Sequence, residues 1–158
     1  MADRNPVDIR LLGSDDVALL EAMSTLFGVV FEEPDTYTGA RPGKEYLERL
    51  LASNHFIAIV AVENDEVIGG IGAYELKKFE QERSEVFIYD LAVAAGHRRQ
   101  GVATAMIEET KRVAAERGAW VVFVQAERGD TPAESLYEKL GTREDASHYD
   151  IEVPGAEQ

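Results

Sequence analysis

The chain has 158 residues, 45% of them hydrophobic, with 30 Asp plus Glu against 16 Lys plus Arg, a formal net charge of −14 and no cysteine. That length suits one domain, residues 1–158, with one sizeable core. The charge balance argues against a surface built for nucleic-acid phosphates, the lack of cysteine excludes disulfides and thiolate metal sites, and no apolar run approaches the roughly 20 residues that cross a membrane.

Asp8 to Leu12 reads as a short first strand. Ser14 is placed to cap a helix from about Asp15 to Phe27, whose Val17, Leu20, Met23, Ser24 and Phe27 recur at helical spacing. Glu32 to Pro42, with Pro34, Gly39 and Pro42, reads as an irregular loop. A second helix spans about Gly43 to Ala52. Phe56–Val62 and Val67–Leu76 are strands joined by the polar turn Glu63-Asn64-Asp65-Glu66. After the charged connection Lys77 to Ser84, Glu85–Val93 is the fourth strand. A third helix runs from Gly101 to Arg117, with Gly118 as its C-cap. Ala119–Ala126 is nearly continuously apolar, the pattern of a strand buried on both faces. Asp130 and Thr131 precede a helix with Pro132 in its first turn, ending at Gly141. Thr142–Val153 holds two last strands, and Pro154–Gln158 reads as a frayed tail. The pattern is mixed α/β, with helices on both faces of a central sheet. The opening, Met1 to Arg10, has no signal-like apolar stretch, and with the missing cysteine this points to a cytoplasmic protein.

The densest chemistry lies in His97-Arg98-Arg99-Gln100-Gly101-Val102-Ala103-Thr104. It joins the fourth strand to the third helix. A strand that turns sharply into a helix aims unpaired backbone N–H groups and the positive end of the helix dipole at one point. Gly101 and Ala103 let a phosphate approach the backbone, and two arginines add forked donors. These are the parts of a diphosphate cradle. A basic turn before a helix also occurs without any ligand. The rival Gly-x-Gly-x-x-Gly and Gly-x-x-x-x-Gly-Lys-Ser/Thr motifs are absent. Arg98 and Arg99 form a basic island in an acidic chain. That combination fits an anionic cofactor at the island and a cationic substrate elsewhere.

The order strand, Arg98-x-x-Gly101-x-Ala103, helix, apolar strand, Ala133-x-x-Leu136-Tyr137-x-x-x-Gly141 resembles the GNAT superfamily of N-acetyltransferases over nearly the whole chain. Lys78-Phe79-Glu80-Gln81-x-Arg83-Ser84-Glu85, Tyr89-Asp90-Leu91-Ala92-Val93 and His148-Tyr149-Asp150-Ile151 are similar to the type I aminoglycoside 3-N-acetyltransferases within it. The resemblance implies a mixed α/β sheet of about seven strands, splayed between the fourth and fifth, a homodimer, and acetyl-CoA as co-substrate without a metal. It places the diphosphate on Arg98, Arg99, Gln100, Gly101, Val102, Ala103 and Thr104. The pantetheine arm would lie along the backbone of Leu91, Ala92 and Val93, with Asp130, Ala133 and Tyr137 also at the cofactor. Asp130 stands where the superfamily often has Asn, and a carboxylate cannot donate a hydrogen bond. The acceptor implied is a small cationic aminoglycoside.

Acetyl transfer to an amine needs a neutral amine, a donor for the developing oxyanion and a proton for the thiolate. The backbone N–H near Leu91 to Val93 suits the second need. Tyr137 suits the third, since a phenol near pKa ~10 lies only slightly above a thiol near ~8.5; as a residue alone it equally suits a helix core. Asp90, Glu85 and Glu80 are the candidate bases. Asp90 interrupts an apolar run, so it either pairs internally or meets a cationic substrate. Glu80 and Glu85 also fit plain surface charges, and His148 either relays a proton or is structural. Glu32, Glu33 and Asp35 are candidates for the acceptor wall. With no cysteine, direct attack in a ternary complex is the expected route. A polyamine or protein acceptor, or a non-catalytic acyl-CoA-binding module, stays open at this point.

Overall fold

The computed structural model describes residues 6–156. The chain falls into two compact units, Met1–Gln125 and Ala126–Gln158. The expected tail thus lies partly, at Glu157 and Gln158, outside the described residues, as do the first five residues of the chain.

The first unit is a five-stranded sheet in the order β1-β2-β3-β4-β5, with β1 Asp8–Leu11, β2 Phe56–Glu63, β3 Glu66–Lys77, β4 Ser84–Val93 and β5 Ala119–Val124. Every neighbouring pair is antiparallel except β4 with β5, which is parallel. β2 and β3 join through Asn64 and Asp65, both at positive φ, the geometry of a two-residue hairpin turn. Asn and Asp tolerate it because their short side chains bond locally.

Helices cover both faces. α1 (Val17–Val30) and α3 (Lys44–Ala52) lie on one side, where Leu20, Met23, Phe27, Leu47 and Leu51 bury against β2 and Ala92 of β4. α4 (Val102–Glu116) lies on the other and buries Val102, Met106, Ile107, Thr110, Val113 and Ala114. Successive glycines of β3 show the two faces: a Cβ on Gly69 would lie 3.1 Å from Met106 Cε, and one on Gly70 would lie 2.5 Å from Met23 Cγ. β2, covered on both sides, is buried at every residue from Phe56 to Val62.

Three expectations are corrected. Glu32–Pro42 is not wholly irregular, since Pro34–Thr38 forms a short helix, α2, with Pro34 pre-setting its first turn. Asp16, not Ser14, is the residue before α1, and its carboxylate accepts from the Gly13 N–H at 2.8 Å rather than capping the helix. β5 is half-buried rather than buried on both faces, with Trp120 55% exposed, because α4 packs against it while α1 covers β2, β3 and β4.

The second unit contains α5 (Thr131–Leu140). The Asp130 carboxylate accepts from the Ala133 N–H at 3.3 Å and so caps the helix. The two strands expected in Thr142–Val153 are absent from the described residues, giving five strands instead of about seven. Tyr149, Ile151 and Val153 alternate as a strand would, yet all three are exposed. Alternation sets which face a strand buries, but a strand exists only where another backbone accepts its ladder.

The approach of Met23 to Gly70 makes a specific demand. Gly70→Ala is expected to lower stability by about 1–3 kcal/mol through overpacking, read as a lower urea midpoint, whereas Gly72→Ala, whose nearest atom would be Met23 Cε at 4.0 Å, is expected to change it far less.

Candidate active site

One irregularity of β4 builds the site. Its register with β3 pairs Ile88 with Ala73 and then Asp90 with Gly72, so Tyr89 has no residue opposite. Each bulged residue reverses the alternation beyond it. Val86 and Ile88 therefore share the α4 face, while Asp90 and Ala92 share the α1 face with Gly70 and Gly72. Without the extra residue, Asp90 would point at the apolar underside of α4.

Turned this way, Asp90 lines a cleft of about 160 Å3 whose walls include Phe27, Leu50, Phe56 and Tyr74. Glu21 of α1 and Arg41 lie at the same cleft. Asp90 is half-buried. The Tyr37 hydroxyl donates to Asp90 Oδ1 at 2.8 Å. Desolvation pushes the Asp90 carboxyl above its ordinary value; the Tyr37 hydrogen bond pulls it down and the charge of Glu33 pushes it up again. The Tyr37 phenol is itself raised, first by burial and then by donating to a carboxylate that favours its protonated form. Burial likewise raises the Tyr74 phenol, with Asp90 adding to it.

The same strand offers a free edge. The β4–β5 register runs from Ser84↔Ala119 to Ile88↔Val124 and stops there, while β4 stays paired with β3 as far as Val93. Beyond Ile88 the side of β4 that faced β5 has no strand partner among the described residues, because β5 ends at Val124. Leu91, Ala92 and Val93 belong to this stretch.

Next to it lies the basic bend. A single 3-10 turn, Ala95–His97, leads to Arg99 at φ +62 and Gly101 at φ +78. Gly101 ends the bend as the residue before α4, in a conformation that costs any residue with a Cβ about 1–2 kcal/mol. The first turn of α4, Val102 to Thr104, has no side-chain cap and no acidic residue, and nothing lies within 4 Å of where a Gly101 Cβ would stand. Open backbone donors at a helix N-terminus with this clearance fit a diphosphate. Arg98, Arg99 and Gln100 are exposed around it. Arg98 Nε donates to the Val93 carbonyl at 3.3 Å, joining bend to edge. His97 Nδ1 stands 3.1 Å from Glu63 Oε2, fastening the bend to the β2–β3 hairpin.

The other sequence candidates fall elsewhere. Glu85 is five residues before Asp90, roughly 16 Å along the strand, and its Oε2 accepts from Trp120 Nε1 at 3.0 Å. Glu80 sits in the β3–β4 connection with Lys78 Nζ 3.9 Å away. Neither lines the cleft. Asp35 is exposed on α2, and the carboxylate of that loop whose charge reaches Asp90 is Glu33. Within the second unit, Tyr137 of α5 is half-buried, and burial followed by the charge of Asp130 raises its phenol. His148 is exposed with Nε2 2.8 Å from Asp150 Oδ1. No cluster of metal-binding side chains occurs among the described residues, and no helix there is long and apolar enough to cross a membrane.

Sequence reasoning missed Tyr37 and Arg41. Both sit in the stretch read as loop. The available signal was an aromatic residue isolated among Pro, Gly and acidic neighbours; it packs edge-on to Phe27, with ring centroids 5.8 Å apart.

Comparison with known proteins agrees with this architecture. Residues 19–142 match the acetyltransferase (GNAT) family. An aminoglycoside acetyltransferase from an uncultured soil metagenomic sample is 53% identical with a TM-score of 0.92, over 94% of this chain and 99% of that one. A second, solved in complex with sisomicin and also from an uncultured soil metagenomic sample, is 30% identical with a TM-score of 0.85, over 93% of this chain and 96% of that one. The uncharacterized N-acetyltransferase YhfO of Bacillus subtilis (strain 168) is 25% identical over 94% of this chain and 99% of its own length. The chain belongs to the GNAT acetyltransferase family and is an acetyl-CoA-dependent N-acetyltransferase.

Proposed function

We propose that the chain acetylates the 3-amino group of gentamicin-type aminoglycosides by direct attack in a ternary complex. The observation that carries this reading is Asp90, a half-buried carboxylate turned by the bulge into a cleft that opens beside the released edge of β4. An aminoglycoside is a polycation. A net charge of −14 attracts it at long range, and Asp90 and Glu33 receive it at short range. The likeness to aminoglycoside acetyltransferases supports the substrate class, and the motifs Tyr89-Asp90-Leu91-Ala92-Val93 and His148-Tyr149-Asp150-Ile151 support position 3 over other amines.

Acetyl-CoA supplies a thioester carbon open to attack by an amine. The residues suited to hold it are the bend Arg98–Thr104 for the diphosphate and Leu91 to Val93 for the extended arm. Asp90 takes the proton that the amine nitrogen loses as its bond to carbon forms. Its carboxyl, raised by desolvation, is a stronger base than an exposed one. A freed backbone N–H of β4 steadies the charge that develops on the carbonyl oxygen. For the proton that the sulfur takes as the carbon–sulfur bond breaks, the donor is Tyr137, and support comes from its place in the second motif. Solvent then returns a proton to Tyr137 and removes one from Asp90.

Incubation with acetyl-CoA and gentamicin is expected to give a singly acetylated product whose modified nitrogen, located by NMR, is at position 3. Acetylation at another nitrogen would overturn the regiochemistry, and consumption of spermidine alone would overturn the substrate class. Asp90→Asn is expected to cut kcat/KM for gentamicin by about 10²-fold or more. Protonation of Asp90 removes the base, so as pH falls wild-type activity loses the Asp90 contribution at a pH above the ordinary Asp value; the variant is expected to lack that component and to keep the one that comes from protonation of the substrate amine. Tyr137→Phe is expected to lower kcat by about 10²-fold with KM for acetyl-CoA nearly unchanged, measured by thiol release.

A further inference from the structure

Tyr37 is the one side chain among the described residues that hydrogen-bonds the Asp90 carboxylate. It reaches across 53 positions of sequence to do so. Its own placement is fixed from three directions. Pro34 begins the short helix that carries it. Its ring packs against Phe27 and Phe31, with centroids 5.8 and 5.7 Å away. Arg41, just beyond, donates from Nη1 to the Glu21 carbonyl of α1 at 3.1 Å and so closes the segment down on that helix. A phenol held this firmly aims one O–H at one oxygen.

We propose that Tyr37 is a positioning residue for Asp90: its hydroxyl holds Oδ1 and orients the carboxylate towards the acceptor amine whose proton it takes. This rests on the reading of Asp90 as the base. Two consequences separate Tyr37 from a residue that merely fills space. Its O–H favours the ionised carboxylate, offsetting part of the desolvation that opposes it. Its donor also sets the direction from which the amine is met, on which transfer depends steeply. The charged and titratable groups around Asp90 are Glu33 ahead of α2, whose charge acts on it, Tyr74 of β3, on which Asp90 acts, and Glu21 of α1 and Arg41, which line the same cleft; Tyr89 of β4 packs against Tyr74. Glu33 acts in the opposite sense to Tyr37, which gives the test an internal control.

Tyr37→Phe keeps the ring and its packing and removes only the donor. The Asp90 carboxyl is followed by carbon NMR of protein labelled at aspartate, without substrate, alongside kcat and KM for gentamicin across pH. The expected result is an upward shift of the Asp90 titration. With it, kcat/KM for gentamicin falls about tenfold relative to wild type where Asp90 is ionised, and falls further as pH drops through the shifted Asp90 titration, with KM for acetyl-CoA unchanged. Glu33→Gln, at an exposed position, is expected to shift the titration downward. An unmoved Asp90 titration in Tyr37→Phe overturns the proposal, and so does a shifted titration with wild-type turnover at every pH. Full activity in Asp90→Asn would locate the failure in the base assignment instead, since that variant tests Asp90 without reference to Tyr37.

Discussion

Between Ile88 and Asp90 the fourth strand carries one residue more than its neighbour, and the geometry of the first unit's chemistry follows from that excess. Side chains in a strand alternate with period 2, so one added residue exchanges the two faces for everything downstream. Up to Ile88 the strand serves the core beneath α4. From Asp90 onward it serves the cleft under α1. The same stretch is where β5 stops pairing. A carboxylate facing the cleft and a backbone edge facing outward thus arise together, within five residues.

The electrostatics divide along the same line. A chain with nearly twice as many acidic as basic residues puts two adjacent arginines at the mouth of an uncapped helix and a half-buried carboxylate in the cleft. Under the proposed function, a diphosphate at the bend and a cationic sugar in the cleft would each meet its own counter-charge. Desolvation acts on the cleft carboxylate. It makes Asp90 a stronger base, and the Tyr37 hydroxyl limits how far that goes.

Most of the helices and strands were legible because they follow period and punctuation. Met23 and Phe27 recur at helical spacing, Gly118 terminates α4 and Pro132 opens α5. The bend was legible too, since Arg98, Arg99 and Gly101 carry their chemistry in their residue types. The bulge was not. Val86-Phe87-Ile88-Tyr89-Asp90 reads as uninterrupted strand, and nothing in those side chains announces a slip that depends on the pairing with Gly72 and Ala73. Tyr37 was hidden for a related reason. Its partner is 53 residues away, and its own neighbourhood of Pro, Gly and acidic residues signals only a break. The missing last strands have the converse explanation. Tyr149, Ile151 and Val153 supply the alternation, but a ladder needs a second backbone, which a single segment cannot declare.

The lone tryptophan of the chain sits at the end of β5 where the parallel ladder begins. The Arg83 guanidinium lies over its ring at 4.3 Å, and its indole N–H is bonded to Glu85. Both neighbours belong to the start of β4 or the connection just ahead of it, so the indole's surroundings exist only while the two strands are zipped at that end. Its emission is therefore a built-in optical gauge of β4–β5 association, read at the closed end of the splay and roughly 16 Å along β4 from the cleft carboxylate. Ligands at the open end would leave that light unchanged unless they loosen the sheet itself.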